Sequence, residues 1–335
     1  MRFGAVITDA EGLRLTPDEK ALFKEINPFG FILFARNIES ADQTRALCED
    51  FREAVGRNCL ITVDQEGGRV QRLRAPLARE WMPPLDHVAR AGDQAERAMY
   101  LRYRLIAQEL LALGIDSNCA PMVDLARAET HAFLKNRCYA SDPMQVSAIG
   151  RAVANGHLDG GVLPVVKHMP GHGLSTLDSH HDLPHVDLSL EALEDADFAP
   201  FRALNDLPMG MTAHLVYDQI DPRPATISAG MMTLIRDRIG FDGLIMTDDI
   251  TMKALQGTPA ELARRALDAG CDVALHCNGT FEERALVLEA AGEMSDAAQA
   301  RADRALATRQ PPQELDIQAA EAELSALMGG QVYAG

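Results

Sequence analysis

The sequence predicts an α/β fold, a closed (β/α)8 barrel in a single domain, on three observations. Eight apolar runs of strand length recur along the chain: Ala5–Thr8, Gly30–Phe34, Cys59–Val63, Ile115–Pro121, Leu163–Lys167, Gly210–His214, Gly243–Thr247 and Asp272–His276. Helix start and stop signals lie between them, and alternating strand and helix signals predict parallel β/α architecture. The chain has 335 residues, more than the roughly 250 that such a barrel needs before insertions.

The elements follow in order. After the first run, Thr16-Pro17-Asp18-Glu19 combines an N-cap, a proline at the first helical position and a capping-box glutamate. Ser40 opens an amphipathic stretch to Val55. The connection after the third run holds Trp81-Met82-Pro83-Pro84, and the fifth is followed by a long polar loop, expected to be mobile. Ser189 opens a helix to about Leu204. Met252-Lys253-Ala254-Leu255 has a helical look after the seventh run, and Ala260–Ala269 stops at Gly270. The barrel is expected over about 4–295. The Ala- and Glu-rich remainder, 296–335 with Pro311-Pro312, reads as terminal helices packed outside it.

The formal net charge is −17, from 32 basic and 49 acidic side chains. Such a surface repels a phosphate backbone, so neither nucleic acid nor an anionic membrane is an expected partner. The six cysteines, Cys48, Cys59, Cys119, Cys138, Cys271 and Cys277, form no CxxC pair and suit free buried thiols in a reducing compartment. The opening MRFGAVITDAEG has no apolar leader, and no run is long enough to span a bilayer. A cytoplasmic monomer acting on a small molecule is expected.

In a parallel barrel the functional groups sit where strands end. Asp64 and Glu66 follow the third strand, Asp124 the fourth, Lys167-His168 the fifth, His214 the sixth, Asp248-Asp249 the seventh and His276 to Asn278 the eighth. Lys167-His168-Met169-Pro170-Gly171-His172-Gly173 is the densest segment, and its loop continues through Asp178-Ser179-His180-His181. Two residues apart in a tight turn, Asp178 can accept a hydrogen bond from His180, orienting the ring and favouring its protonated form. A histidine so prepared donates a proton to a leaving oxygen and later activates water. Asp248, directly after an apolar strand, points into the barrel mouth as a nucleophile; Asp249 reads equally as the cap of a following helix. Asp64-Gln65-Glu66-Gly67-Gly68-Arg69-Val70-Gln71-Arg72 and Arg137 suit hydrogen bonding to a polyhydroxylated ligand.

These segments resemble the family 3 glycoside hydrolases, specifically the single-domain bacterial β-N-acetylglucosaminidases of cell-wall recycling. The likeness runs from about Gly4 to Asn278 on DQEGGRVQR, KHMPGHG with DSH, and TDD after the seventh strand. It implies Asp248 as nucleophile, Asp178 and His180 as an acid/base dyad, and Asp64, Arg72, Arg137, Lys167 and His168 as sugar-binding residues. It implies no cofactor and no metal. The expected activity is retaining hydrolysis of terminal β-linked N-acetylglucosamine from muropeptides, N-acetylglucosaminyl-anhydro-N-acetylmuramic acid with or without peptide. Met169, Leu174, Thr247 and the Cys138-Tyr139 pair after Arg137 depart from the usual pattern and touch no proposed catalytic group. Competing readings are a metal-dependent hydrolase built on His168, His172, His180, His181 and His214, a non-catalytic carbohydrate-binding barrel, and a phosphorylase using the same site. Against the metal reading, Thr8-Asp9-Ala10 offers no His-x-His pair on the first strand.

Overall fold

The computed structural model describes residues 2–175 and 183–333. Eight parallel strands form one sheet: β1 Gly4–Thr8, β2 Pro28–Leu33, β3 Leu60–Val63, β4 Ser117–Asn118, β5 Leu163–Met169, β6 Met209–Thr212, β7 Leu244–Asp249 and β8 Val273–Leu275. Their lateral order is β3-β2-β1-β8-β7-β6-β5-β4. The two edges meet: the Asp116 N–H donates to Ile61 O at 3.1 Å and the Cys119 N–H to Val63 O at 2.9 Å. The ring is thereby closed, and the fold is the (β/α)8 TIM barrel that the strand count predicts.

Only Ser117 and Asn118 of the expected Ile115–Pro121 run pair with β5 as a ladder. Side chains supply much of the remaining bonding. Asn118 Oδ1 accepts from the Gln65 N–H at 2.9 Å, its Nδ2 donates to Gln65 O at 3.1 Å, and the Asp116 carboxylate accepts from the Ile61 N–H at 2.8 Å. These groups satisfy buried backbone atoms that strand pairing leaves over.

Alternation along the strands separates two cores. Ala5, Ile7, Ile32, Leu60, Val165 and Met246 fill the barrel interior. Val6, Phe31, Leu33, Ile61, Val166 and Ile245 face the surrounding helices. A period of two sends successive side chains to opposite faces, and each fully buried aliphatic contributes about 1.5–3 kcal/mol. One-residue slippage of any strand would exchange the two sets, so the register is well specified.

The helix signals act as their chemistry requires. Thr16 accepts from the Glu19 N–H while Glu19 reaches back to the Thr16 N–H, starting the helix Pro17–Ile26. Ser40 caps Ala41–Val55, which ends at Gly56. Thr258 caps Pro259–Ala269, which ends at Gly270 with φ +116°. The expected helix from Ser189 to Leu204 is instead two, Leu190–Asp195 and Ala199–Ala203. Pro200 lacks the N–H that a continuous helix would aim at Ala196, and its ring would meet that carbonyl. Between the halves, buried Asp197 pairs with Arg127 at 2.5 Å. Met252 to Leu255 form turns, not a helix.

The terminal helices Asp296–Ala307 and Ile317–Leu327 lie outside the barrel as expected. Arg301 reaches Asp272 at 3.0 Å and Arg97 reaches Glu323 at 2.6 Å. The exposed Arg97–Glu323 pair contributes only about 0–1 kcal/mol, so buried Leu324 carries more of the docking of its helix. The six cysteines are free and buried. Among the described residues no helix is long and apolar enough to cross a membrane.

Candidate active site

The C-terminal ends of the strands surround a cavity of about 320 Å³. Asp64, Arg72, Arg137, Lys167, His168 and Asp248 all line it, so six of the eight expected site residues share one pocket. Asp178 and His180 lie outside the described residues. Phe34, Phe133, Met211 and Met252 supply apolar wall. Asp64, Lys167, His168 and Asp248 come together because each stands at the end of a strand whose apolar members are fixed in the two cores, whereas Arg72 follows Val70–Gln71 and Arg137 the short helix Ala132–Lys135.

One side of the pocket is a compact charge network. Lys167 at the end of β5 donates to Asp64 Oδ1 at 3.0 Å and reaches Glu66 Oε1 at 2.6 Å. Arg72 donates to Asp64 Oδ2 at 2.9 Å. Arg137 grips Glu66 with two hydrogen bonds, from Nε at 2.9 Å and Nη2 at 2.8 Å. Burial alone would raise the Asp64 carboxyl, but Lys167 and Arg72 more than offset it, and Asp64 lies below the usual carboxylate range. Glu66 is likewise opposed by burial and brought down to about 2 by Arg137 and Lys167. Burial would lower Lys167, yet the two carboxylates hold it above its ordinary value. The network is therefore fully ionised at neutral pH, with donors and acceptors fixed before any ligand arrives.

The ribbon that carries Asp64, Glu66 and Arg72 is held from behind. Gln65–Gly67 pairs antiparallel with Val70–Gln71. Gln65 Oε1 accepts from the N–H groups of Arg72 and Leu73 at 3.0 and 3.1 Å. Gly67 has φ +110°, and a Cβ there would lie 1.9 Å from the buried Arg102 guanidinium. Arg102 donates to the Glu66 and Met82 carbonyl oxygens. The glycine is thus required both by its backbone angle and by the approach of Arg102.

His168 Nδ1 lies 2.7 Å from Asp124 Oδ2, and Asp124 also accepts from the His172 N–H at 2.6 Å. Burial would raise Asp124, and His168 and His172 bring it down. A carboxylate on Nδ1 fixes the ring and leaves Nε2 as the free polar edge. Lys167-His168 and Met169-Pro170 are cis peptide bonds.

Asp248 accepts from the Asp249 N–H at 2.8 Å. Burial works against its charge, but His168, His214 and that N–H more than compensate, so Asp248 lies below the ordinary carboxylate value. It is an ionised, partly exposed carboxylate at the pocket wall, the state a nucleophile needs. Asp249 accepts from the Thr251 N–H at 3.0 Å and ties a turn, not the helix start that its position suggested.

His214 and His276, expected at the rim, and His172, from the segment after the fifth strand, do not line the cavity. His276 faces Glu283 at 3.2 Å, outside the pocket. His214 bonds Thr226 at 2.7 Å and backs the Asp249 carbonyl at 3.0 Å. His172 is buried, and desolvation lowers it to about 4. Among the described residues no three His, Cys, Asp or Glu side chains converge to hold a metal ion. Asp249, Asn278, Phe34 and Phe133 also line the pocket and were not singled out from sequence as ligand contacts. Phe34 sits beneath Arg36 and Arg72, and Phe133 beneath Arg69. Proximity to strand ends marked Phe34, Asp249 and Asn278 in the sequence, and nothing marked Phe133, on the short helix Ala132–Lys135.

Residues 8–308 match the family model for the glycosyl hydrolase family 3 N terminal domain. A beta-hexosaminidase of Chromobacterium violaceum is 40% identical over 294 residues, 85% of this chain and 81% of that protein. One from Tolumonas auensis is 38% identical over 283 residues, 82% and 83% of the two chains. The solved structure of NagZ from Neisseria gonorrhoeae in complex with N-trifluoroacetyl-D-glucosamine superposes with a TM-score of 0.80 at 31% identity. It covers 98% of this chain and 99% of its own. With its barrel, its strand-end pocket and a match across most of its length, this chain belongs to glycosyl hydrolase family 3.

Proposed function

We propose that the chain is a retaining exo-β-N-acetylglucosaminidase, with Asp248 as nucleophile and His180, oriented by Asp178, as acid/base. One observation carries the reading. The ionised Asp248 carboxylate shares a small pocket with Asp64, Arg72, Lys167 and His168, which offer fixed donors and acceptors of the kind sugar hydroxyls require. A volume of about 320 Å³ is near the lower end of ligand cavities, roughly 300–1,000 Å³. That size suits one sugar ring and an exo mode. The beta-hexosaminidase relatives and the N-trifluoroacetyl-D-glucosamine complex of NagZ favour N-acetylglucosamine as that sugar.

In this mechanism an Asp248 oxygen bonds to the anomeric carbon as the glycosidic bond breaks, and His180 gives its proton to the departing oxygen. Water, deprotonated by the same imidazole, then displaces Asp248 with net retention. Asp64, Arg72, Arg137, Lys167 and His168 hold the ring; Arg137, occupied by Glu66 through two nitrogens, contributes as a fixed wall of positive charge. We assign the whole chain to one catalytic domain, working in the cytoplasm as a monomer on muropeptides with or without peptide, and with water as acceptor. Nitrophenol release from the β-N-acetylglucosaminide, compared with the matching β-glucoside, tests it. Strong preference for the former supports the reading, and equal turnover of both overturns the sugar assignment.

A further inference from the structure

The residue after the proposed nucleophile is tied more heavily than the nucleophile itself. The Asp249 N–H donates to Asp248 Oδ1 at 2.8 Å, and its carbonyl lies 3.0 Å from His214 Nε2. Its Oδ1 accepts from the N–H groups of Thr251 at 3.0 Å and Cys277 at 3.3 Å, and its Oδ2 from Asn278 Nδ2 at 3.3 Å. Asn278, in the left-handed region at φ +63°, passes the connection on. Its N–H donates to Asp9 Oδ2 at 3.0 Å, its Oδ1 accepts from Arg36 at 2.7 Å, and Arg36 pairs with Asp9. The carboxylate therefore ties the turn after β7 to the end of β8, and Asn278 extends the link to the ends of β1 and β2, while the backbone carbonyl of Asp249 meets His214 after β6. A turn alone would need only the bond to Thr251.

We propose that Asp249 is a positioning residue for the glycosidase reaction, its ionised carboxylate locking the turn whose N–H aims Asp248 at the anomeric carbon. This rests on Asp248 being the nucleophile. The charged and titratable groups around Asp249 are Asp248 on its own strand, His214 beyond β6, the Cys277 thiol after β8 and, through Asn278, Arg36 and Asp9. Burial, reinforced by the Asp248 charge against the Thr251 and Asn278 bonds, lifts Asp249 to about 6. Above that pH its oxygens accept all three hydrogen bonds; protonation below it removes an acceptor and loosens the link to β8. Asp248 lies below the ordinary carboxylate value, so the proposal places an acid limb of kcat/KM near pH 6 on Asp249, and the movement of that limb in Asn278→Ala tests the placement.

The test compares Asp249→Asn and Asn278→Ala with the unsubstituted enzyme, using 4-nitrophenyl N-acetyl-β-glucosaminide across acid to neutral pH and thermal unfolding as a fold check. Asp249→Asn should lose about 10²-fold in kcat, the scale of a small misplacement of a reacting group, with KM nearly constant and the acid limb gone. Asn278→Ala removes a donor that favours the ionised form, so the limb should move to higher pH. That shift decides the matter if Asp249→Asn fails to fold. A merely structural role would lower the Tm and leave the limb in place; an unmoved limb in Asn278→Ala overturns the proposal. Peptide mapping of the trapped glycosyl-enzyme separates the two readings. A label elsewhere than Asp248 defeats the assignment of the nucleophile, whereas a label on Asp248 with an unmoved limb defeats only the role of Asp249.

Discussion

Lys167 Nζ, in the wall of the pocket, and Glu66 Oε1, behind it, stand 2.6 Å apart, both side chains about 2% exposed. The pair is the centre of a network in which Glu66 also holds Arg137 and Lys167 also holds Asp64. In the proposed function, substrate groups would meet charges already committed to one another, so little reorganisation would be needed on binding.

Lys167→Met should remove both the proposed sugar contact and the counter-charge of two buried carboxylates. Breaking a buried ion pair costs about 3–5 kcal/mol because the partner is left uncompensated. Thermal unfolding should show a clear loss of Tm together with loss of kcat/KM. An unchanged Tm would mean that the network relaxes more freely than its burial indicates.

The same cluster gives an acid-stability signature. Glu66 is depressed from 4.5 to about 2 in the folded protein. Its contribution is therefore intact above the unfolded value and lost as pH falls from about 4.5 towards about 2. Urea unfolding at stepped pH should show a shallower decline over that window for Glu66→Gln than for the unsubstituted protein. Parallel curves would contradict the assignment of the shift to Glu66.

Gly67→Ala should destabilise by on the order of 3 kcal/mol, from positive φ and from displacement of Arg102. Gly12, where nothing lies within 4 Å of a Cβ, is the control, and Gly12→Ala should change stability by less than about 1 kcal/mol. Chemical denaturation of both variants checks the contrast. Equal effects would show that Arg102 can vacate its place without cost.

The barrel was legible because apolar runs and helix caps repeat with a regular spacing, and capping depends on residues close in sequence, as at Thr16 and Glu19. That six of the expected residues share one pocket was legible largely because strand ends converge in this fold. What sequence hid depends on tertiary geometry. The break at Ala196 reflects Pro200 together with buried Asp197, whose partner Arg127 is 70 residues away. His276 sits in the right segment, but its ring turns towards Glu283. Glu66 and Asp249 stand at strand ends like their neighbours, and only the folded contacts distinguish their partners from those of Asp64 and Asp248.

His168 depends on Asp124 for its orientation, so the two should act as one unit. Asp124→Ala and His168→Ala should each lower kcat/KM by about 10–100-fold, the range expected for hydrogen bonds to charged groups. The double variant should fall little further than either single one. Full additivity in the cycle would show that His168 contacts substrate without help from Asp124.

The central claim is that Asp248 becomes covalently bonded to the sugar. In His180→Ala, a dinitrophenyl N-acetyl-β-glucosaminide should still glycosylate the enzyme, because its leaving group hardly needs a proton. The second step, deprived of its base, should be slow by about 10²–10⁴-fold. Intact-protein mass spectrometry should then reveal one added N-acetylglucosaminyl group, and peptide mapping should place it on Asp248. A label on any other residue, or equal loss of activity towards activated and natural substrates without an adduct, would contradict the account.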